Sequence, residues 1–319
     1  MLLNVFVWLV FVAVTFLLLR LTLRAWRARN AVVKWAGGIL SSLLTLVLAA
    51  LSVLGALGLI EAYVPRSAPA REIKVAGSPE QVERGQYLAN SFCAGCHSET
   101  EELPLTGGRD VAKDIPFPIG SMVAPNLTPT GPLKGWSDAD IFRALRDGVG
   151  PNGRRLLTMS LVQVRYMSDE DLLALIAYIR SQEPAGAETL DPPDQPNMLG
   201  LIMAGAGLMP RALPPVEGVI SAPPKGATVE YGKYQLGYMD CVGCHGADLS
   251  GGTPGQLLPV GPSLRVVKGW TPEEFIATLR TGVDPSGHAL KPELMPWKSL
   301  GRLDDGDLTA IYLYLNSLP

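Results

Sequence analysis

Cysteine and histidine are scarce in this chain, at four and three in 319 residues. Four thiols are too few for a disulfide-stapled scaffold of that length. A closed zinc site needs about four ligands in one place, which this scattered set does not supply. Charge is missing altogether from residues 1–19 and again from 35–60. Acid is missing from the stretch between them, which holds Arg20, Arg24, Arg27, Arg29 and Lys34. No sustained alternation of apolar and polar residues appears, which argues against a β-sheet fold. There is also no basic stripe, which excludes nucleic acid as a partner.

The four cysteines form two copies of one motif. Cys93-Ala-Gly-Cys96-His97 and Cys241-Val-Gly-Cys244-His245 use every cysteine and two of the three histidines. C-x-x-C-H reads as covalent attachment of c-type haem. Each thiol adds to a vinyl group of the haem, and the adjoining histidine becomes the proximal iron ligand. Zinc and thioredoxin-like redox readings compete. Each motif offers at most three zinc ligands, and a redox C-x-x-C needs no histidine after it. The expected cofactors are two covalently bound haem c groups.

Both uncharged runs are long enough to be transmembrane candidates. The second, of 26 residues, reaches about 39 Å at about 1.5 Å per residue. The basic loop between the runs belongs in the cytoplasm by the positive-inside rule. That places the N-terminus and everything after Tyr63 outside. A cleaved signal peptide is the rival reading of residues 1–19. It expects a basic residue before the apolar run and small residues after it. Met1-Leu-Leu-Asn4 has no basic residue, and Arg20-Leu-Thr-Leu-Arg24 is a poor cleavage site. Gly37, Gly38, Gly55 and Gly58 give the second helix small faces suited to helix packing.

Beyond a Pro-rich linker the chain repeats itself. Arg84-Gly-Gln-Tyr87 precedes the first haem motif and Tyr231-Gly-Lys-Tyr234 the second. Lys134-Gly-Trp136 recurs as Lys268-Gly-Trp270, and Gly148-Val149 as Gly282-Val283. Ser137 to Asp140 and Thr271 to Glu274 carry helix-capping signals. Ser168 to Asp171 opens a helix through Ile179, and Asp304 to Asp307 its twin through Leu315. The expected organisation is a transmembrane helix with its basic loop at 1–34 and a second transmembrane helix at 35–63. A linker at 64–77 leads to a first domain at 78–184. A connector at 185–228 then precedes a second domain at 229–319. Within the connector, Met198 to Met209 is an apolar run too short to span. A helix packed between the domains is the leading reading of it, with a membrane-facing or partner-facing role as the alternative. Tyr87 with Tyr178, and Tyr234 with Tyr314, are candidates for packing first helix against last. Gly85 and Gly232 permit those helices a close approach.

The second axial ligand is expected from methionine. Met295 follows Cys244 by 51 residues, and Met159 follows Cys96 by 63. A neutral thioether favours ferrous iron, so Met/His ligation raises the potential. The expected iron ligands are His97 with Met159, and His245 with Met295. Met122 and Met167 are the alternatives in the first domain, and core filling is the bland reading of any of them. Met239 lies too close to Cys241 to reach the far face of the same haem easily. His288, the spare histidine, aligns with Arg154 or Arg155, which suits a propionate or surface role better than ligation. Trp136 and Trp270 are candidates for lining the haem pockets or for packing at a helix start.

Both repeats resemble class I cytochrome c domains, through the Gly-x-Tyr helix, C-x-x-C-H, a later Met and a closing helix with Tyr. In the first, Ala124-Pro-Asn-Leu-Thr-Pro129, Gly135-Trp136-Ser-Asp and Ala144-Leu-Arg-Asp-Gly148 are similar to the cytochrome subunits of membrane-bound alcohol and sugar dehydrogenases. Those subunits commonly carry three haem domains, and usually Met-Pro where this chain has Met159-Ser160. The resemblance implies two class I cytochrome c domains. Joined to the two uncharged runs, which depart from those subunits, it gives an expected all-α fold with two N-terminal transmembrane helices followed by two class I cytochrome c domains. It implies electron transfer rather than catalysis, and the topology read from the basic loop puts that on the outer face of a bacterial cytoplasmic membrane. The expected partners are membrane lipid and redox proteins of a respiratory, dehydrogenase or photosynthetic complex. Residues 64–319 hold 22 basic against 29 acidic side chains, which steers toward a basic docking surface. A di-haem peroxidase, or a subunit whose haems merely wire a larger complex, are the alternatives.

Overall fold

The computed structural model describes every residue except 70, 190, 192, 210–212 and 257. Residue 70 belongs to the linker, and 190, 192 and 210–212 to the connector. The chain divides into two compact units. One comprises Met1–Arg66, Ala112–Met122 and Gln195–Ala212, and the other Ser67–Val111, Val123–Asp194 and Leu213–Pro319.

The first unit is built on α1 (Leu2–Trp26) and α2 (Gly38–Tyr63). A π-helical turn, Val33–Gly37, leads into α2. Both helical stretches are long and apolar enough to cross a membrane. They form an antiparallel hairpin with a polar seam. Asn4 Nδ2 donates to the Tyr63 hydroxyl at 3.0 Å, and Trp8 Nε1 to the Ser52 carbonyl at 2.8 Å. Thr22 and Thr45 hydroxyls meet at 3.1 Å, and Trp26 Nε1 donates to Ser42 at 3.1 Å. Trp8, Thr15 and Thr22 recur every seven residues, as do Gly38, Thr45 and Ser52. That is the spacing of a left-handed helix seam. Hydrogen bonds of this kind between membrane helices contribute about 0.6 kcal/mol each on average.

Two short strands, β1 (Gly120–Met122) and β2 (Asp194–Pro196), pair with each other. The apolar run of the connector forms α7 (Met198–Gly205). It packs against α2, not between the repeats. Gly58 touches the Leu201 carbonyl so closely that a Cβ there would overlap it, and Gly205 meets the Leu54 carbonyl in the same way. The small face read on α2 therefore has its partner within the chain.

The second unit holds both repeats. The first contains α3 (Pro79–Leu88), α4 (Ala94–His97), α5 (Asp138–Asp147) and α6 (Asp169–Ser181). The second contains α8 (Val229–Tyr238), α9 (Cys241–His245), α10 (Pro272–Thr281), α11 (Trp297–Leu300) and α12 (Asp305–Ser317). The expected capping boxes close α5 through Ser137 and Asp140, and α10 through Thr271 and Glu274. In each repeat the first helix crosses the last at a glycine. A Cβ on Gly85 would overlap the Ala174 carbonyl, and one on Gly232 the Ala310 carbonyl. The fold is all-α in its essentials, as the sequence implies.

The tyrosines of the first helices depart from expectation. Their hydroxyls cross between repeats, while the Tyr87 ring also packs on the core of its own repeat, which contains Tyr178. Tyr87 donates to Asp307 Oδ2 at 2.5 Å and accepts from the Asp304 backbone N–H at 2.9 Å. Tyr234 donates to Asp171 Oδ2 at 2.6 Å and accepts from the Ser168 N–H at 2.8 Å. The two pairs are related by the sequence repeat, so the contact has pseudo-two-fold symmetry. Arg84 completes one side with a bidentate pair to Asp171 at 2.8 and 3.1 Å. Lys225 completes the other, 2.7 Å from Asp304.

Candidate haem sites

The first motif sits on a short helical stretch that continues from α3 through a π-helical turn, Ala89–Cys93, into α4. The second repeat has one more residue between its tyrosine and its motif. It absorbs that residue at Asp240, whose φ of 58° breaks the helix before Cys241. Each motif then presents two thiols outside any disulfide and a buried imidazole.

The imidazoles are held alike. His97 Nδ1 lies 2.9 Å from the Pro125 carbonyl, and His245 Nδ1 lies 2.7 Å from the Pro262 carbonyl. A carbonyl accepts only, so Nδ1 carries a proton, and in that neutral tautomer Nε2 keeps the lone pair that a metal needs. Burial pushes the His97 pKa down, which keeps the ring neutral. The loop that carries each proline is also duplicated. Gly107 N–H donates to His97 O at 2.7 Å, and Gly251 N–H to His245 O at 2.8 Å. Gly108 N–H reaches Ala124 O at 3.0 Å, and Gly252 N–H reaches Gly261 O at 2.9 Å. Pro125 and Pro262 are candidate site residues that the motifs do not point to. Their signal is in the sequence, as Ala124-Pro-Asn-Leu127 against Gly261-Pro-Ser-Leu264, each after a Gly-Gly pair. The spacings differ because the first repeat inserts Ala112–Met122, the segment that belongs to the other unit.

A dithiol redox catalyst needs a depressed thiol pKa, and the shifts here run the other way. Burial pushes Cys93 and Cys241 each up to about 12, with smaller contributions from Cys96 on the first and Asp240 on the second. Half-buried thiols and a neutral imidazole with a free Nε2 fit covalent haem c. Cys93 packs at the edge of the first apolar core and Cys241 at the edge of the second.

Met159 lies at the edge of the same core as Cys93, and Met295 at the edge of the same core as Cys241. Met167 is fully enclosed in the first core, and its carbonyl accepts from Arg146 at 2.7 Å. Met122 falls in the other unit. Met239 borders both cores. Trp136 and Trp270 pack at the edges of their respective cores. Two matched turns precede the methionines. Gly150 N–H donates to Arg154 O at 2.7 Å, and Asp284 N–H to His288 O at 3.0 Å. His288 is thus the counterpart of Arg154, in an exposed turn.

The methionine loops are braced differently. After Met295 comes Pro296, then Trp297, whose Nε1 donates to Leu290 O at 3.1 Å while its ring lies over Gly282. After Met159 comes Ser160, whose hydroxyl donates to Leu157 O at 2.8 Å and accepts from Arg155 Nε at 3.2 Å. Asp194 adds a clamp. It accepts from the Leu157 N–H at 2.8 Å and from the Thr158 hydroxyl at 3.1 Å. Nothing in its local sequence marks Asp194 out.

The two attachment segments also meet. Phe92, next to Cys93, lies edge-to-face on Tyr238, three residues before Cys241, with centroids 5.2 Å apart and an interplanar angle of 88°. A Cβ on Gly95, inside the first motif, would lie 3.4 Å from Ser299 Oγ on α11.

The cytochrome c family profile matches residues 82–183 and 229–319, together more than half of the chain. One of the subunits of nicotinate dehydrogenase from Pseudomonas putida is 30% identical over 293 residues, covering 82% of this chain and 24% of that protein. A gluconate 2-dehydrogenase cytochrome c subunit of Pantoea cypripedii is 28% identical over 268 residues, covering 74% of this chain and 59% of its own length. The chain thus spans less than two thirds of both. A diheme cytochrome c-type protein of Cereibacter sphaeroides is 26% identical over 308 residues, covering 86% of this chain and 98% of its own length. With duplicated motifs, duplicated imidazole supports and a family match over both repeats, the chain belongs to the cytochrome c family.

Proposed function

We propose that the chain is a membrane-anchored di-haem electron carrier with no substrate chemistry of its own. One haem is held by Cys93, Cys96, His97 and Met159, the other by Cys241, Cys244, His245 and Met295. Haem c bound at such sites supplies a one-electron iron couple at a raised potential. The protein's part is to fix ligands and exclude water. The Pro125 and Pro262 carbonyls orient the imidazoles and raise their basicity, as outer-shell acceptors do for ligating histidines. The observation that carries the reading is this duplicated support.

Lodging α1 and α2 in a bacterial cytoplasmic membrane, with the haem repeats on the extracytoplasmic side, keeps them near membrane donors. The donor is then a quinol-oxidising complex or a dehydrogenase, and the acceptor a cytochrome, an oxidase or a reaction centre. Relatives that are dehydrogenase subunits support the donor class, and the diheme relative, aligned over 98% of its own length, supports a chain with two haems. The Phe92–Tyr238 contact supports electron passage within the chain. The test is to purify the protein from native membranes, count covalent haems by mass, and titrate the potentials. Two haems of resolved, positive potential are expected. A single haem, or rapid peroxide turnover by the reduced protein, would sink the reading.

A further inference from the structure

We infer that α7 and the turn after it form a third membrane-embedded element, immersed in the acyl chains of the outer leaflet. The inference rests on the reading of α1 and α2 as membrane-spanning. Tyr63 ends α2, and Glu61 is its first charged residue after Lys34. Gly58 and Leu54 lie five and nine residues before Tyr63, or about 8 and about 14 Å along an axis that rises about 1.5 Å per residue. Those are the residues α7 touches. A helix packed at that level of α2 lies below the headgroup boundary, in the apolar half of the leaflet.

The composition of the segment agrees. Gln195 to Met209 contains no charged side chain. One face of α7 is used within the unit: Leu201 is buried, and Gly200 lies so close to the Ile119 carbonyl that a Cβ would overlap it. Leu199 and Leu208 face outward at 43% and 64% exposure. On α2, at the same level, Val53 and Leu57 are exposed as well.

Backbone chemistry points the same way. In hydrocarbon every N–H and C=O must find a partner inside the protein. Asn197 caps the start of α7, its Oδ1 accepting from the Gly200 N–H at 3.0 Å while its Nδ2 donates to Pro118 O at 2.6 Å. At the other end Ala206, Gly207 and Leu208 N–H groups donate to the carbonyls of Ile202, Ala204 and Met203 at 2.9 to 3.0 Å. Gly207 has a φ of 74°, which lets the chain turn back on its own carbonyls. The entering Asn4 amide on α1, bonded to Pro196 O at 2.7 Å, closes a further carbonyl of the same segment.

The experiment uses full-length, haem-loaded protein in liposomes that contain a phospholipid with a photoactivatable diazirine on its acyl chain. Irradiation is followed by peptide mass spectrometry. Residues 198–208 should be labelled along with α1 and α2. In parallel, Leu199→Cys and Leu208→Cys should react with a membrane-impermeant maleimide severalfold more slowly than Glu273→Cys, and as slowly as Val53→Cys. The natural thiols are occupied by haem, so each new one is read alone. Label on α1 and α2 but none on 198–208, with fast maleimide reaction, would mean that water covers α7 and would overturn the inference. Absent lipid label with slow maleimide reaction would mean that protein covers it, and would overturn it equally. Absence of lipid label from α1 and α2 would defeat the anchor reading itself, a distinct result.

Discussion

Tyr87 and Asp307 lie 220 residues apart in sequence and are joined by a phenol-to-carboxylate hydrogen bond of 2.5 Å. Tyr234 and Asp171 form the repeat-related copy at 2.6 Å. Each tyrosine also satisfies a backbone N–H at the start of the other repeat's last helix. Burial, and then the facing carboxylate, push both phenol pKa values up, so the hydroxyls stay protonated donors.

Removing one phenol hydroxyl therefore leaves a carboxylate and a helix N-terminus short of a partner. Tyr87→Phe or Tyr234→Phe should each cost about 1–3 kcal/mol of stability. Thermal unfolding followed in the haem absorption bands would measure this. Tyr178→Phe, which has no such cross-repeat role, should cost less. Equal losses at Tyr87 and Tyr178 would contradict the assignment.

Met295→Ala should open one iron to carbon monoxide and abolish its near-infrared Met/His signature. Its potential should fall by a substantial share of the roughly 0.8 V that axial ligands span. Met159→Ala should do the same to the other haem alone. Met122→Ala should be silent. If Met122→Ala opens the first haem while Met159→Ala does not, the carrier function stands but the ligand assignment is wrong.

Asp194 should act on Met159 at a distance, by holding the preceding turn. Asp194→Ala should weaken the near-infrared signature and lower the potential of the first haem only. Asp194→Asn keeps one acceptor oxygen and should recover part of both. A change shared equally by the two haems would point to general destabilisation instead.

Asp240 gives the second repeat a pH response. Burial raises its pKa to about 6 from an ordinary 3.8. The folded protein thus holds this proton through a range where the unfolded chain has released it. Its stabilising contribution is complete below about pH 4 and is lost as pH rises through about 6. The new negative charge, next to Cys241, should also lower the potential of the second haem over that interval. Asp240→Asn, which tolerates the left-handed backbone, should flatten both profiles. Potentiometric titration from pH 4.5 to 7.5 (roughly the span of the transition) would decide, and an unchanged slope in the variant would refute it.

The haem motifs, the two uncharged runs, the repeat and the capping signals were all legible in the sequence, because each depends on residues within one or two helical turns. C-x-x-C-H is a local covalent pattern, and hydropathy is a local sum. The all-α class followed from them. What the sequence did not disclose depends on pairs far apart in it. Tyr87 and Tyr234 read as ordinary helix-packing residues until the fold brought the two repeats together and turned them outward into each other. Asp194 became a brace for the Met159 loop only because the chain returns past Thr158 36 residues later. The Met198–Met209 run was visible as apolar, but its partner was not. Apolarity specifies that a surface will be covered without specifying by what, and only the close approach of Gly58 to Leu201 decided that the cover is α2.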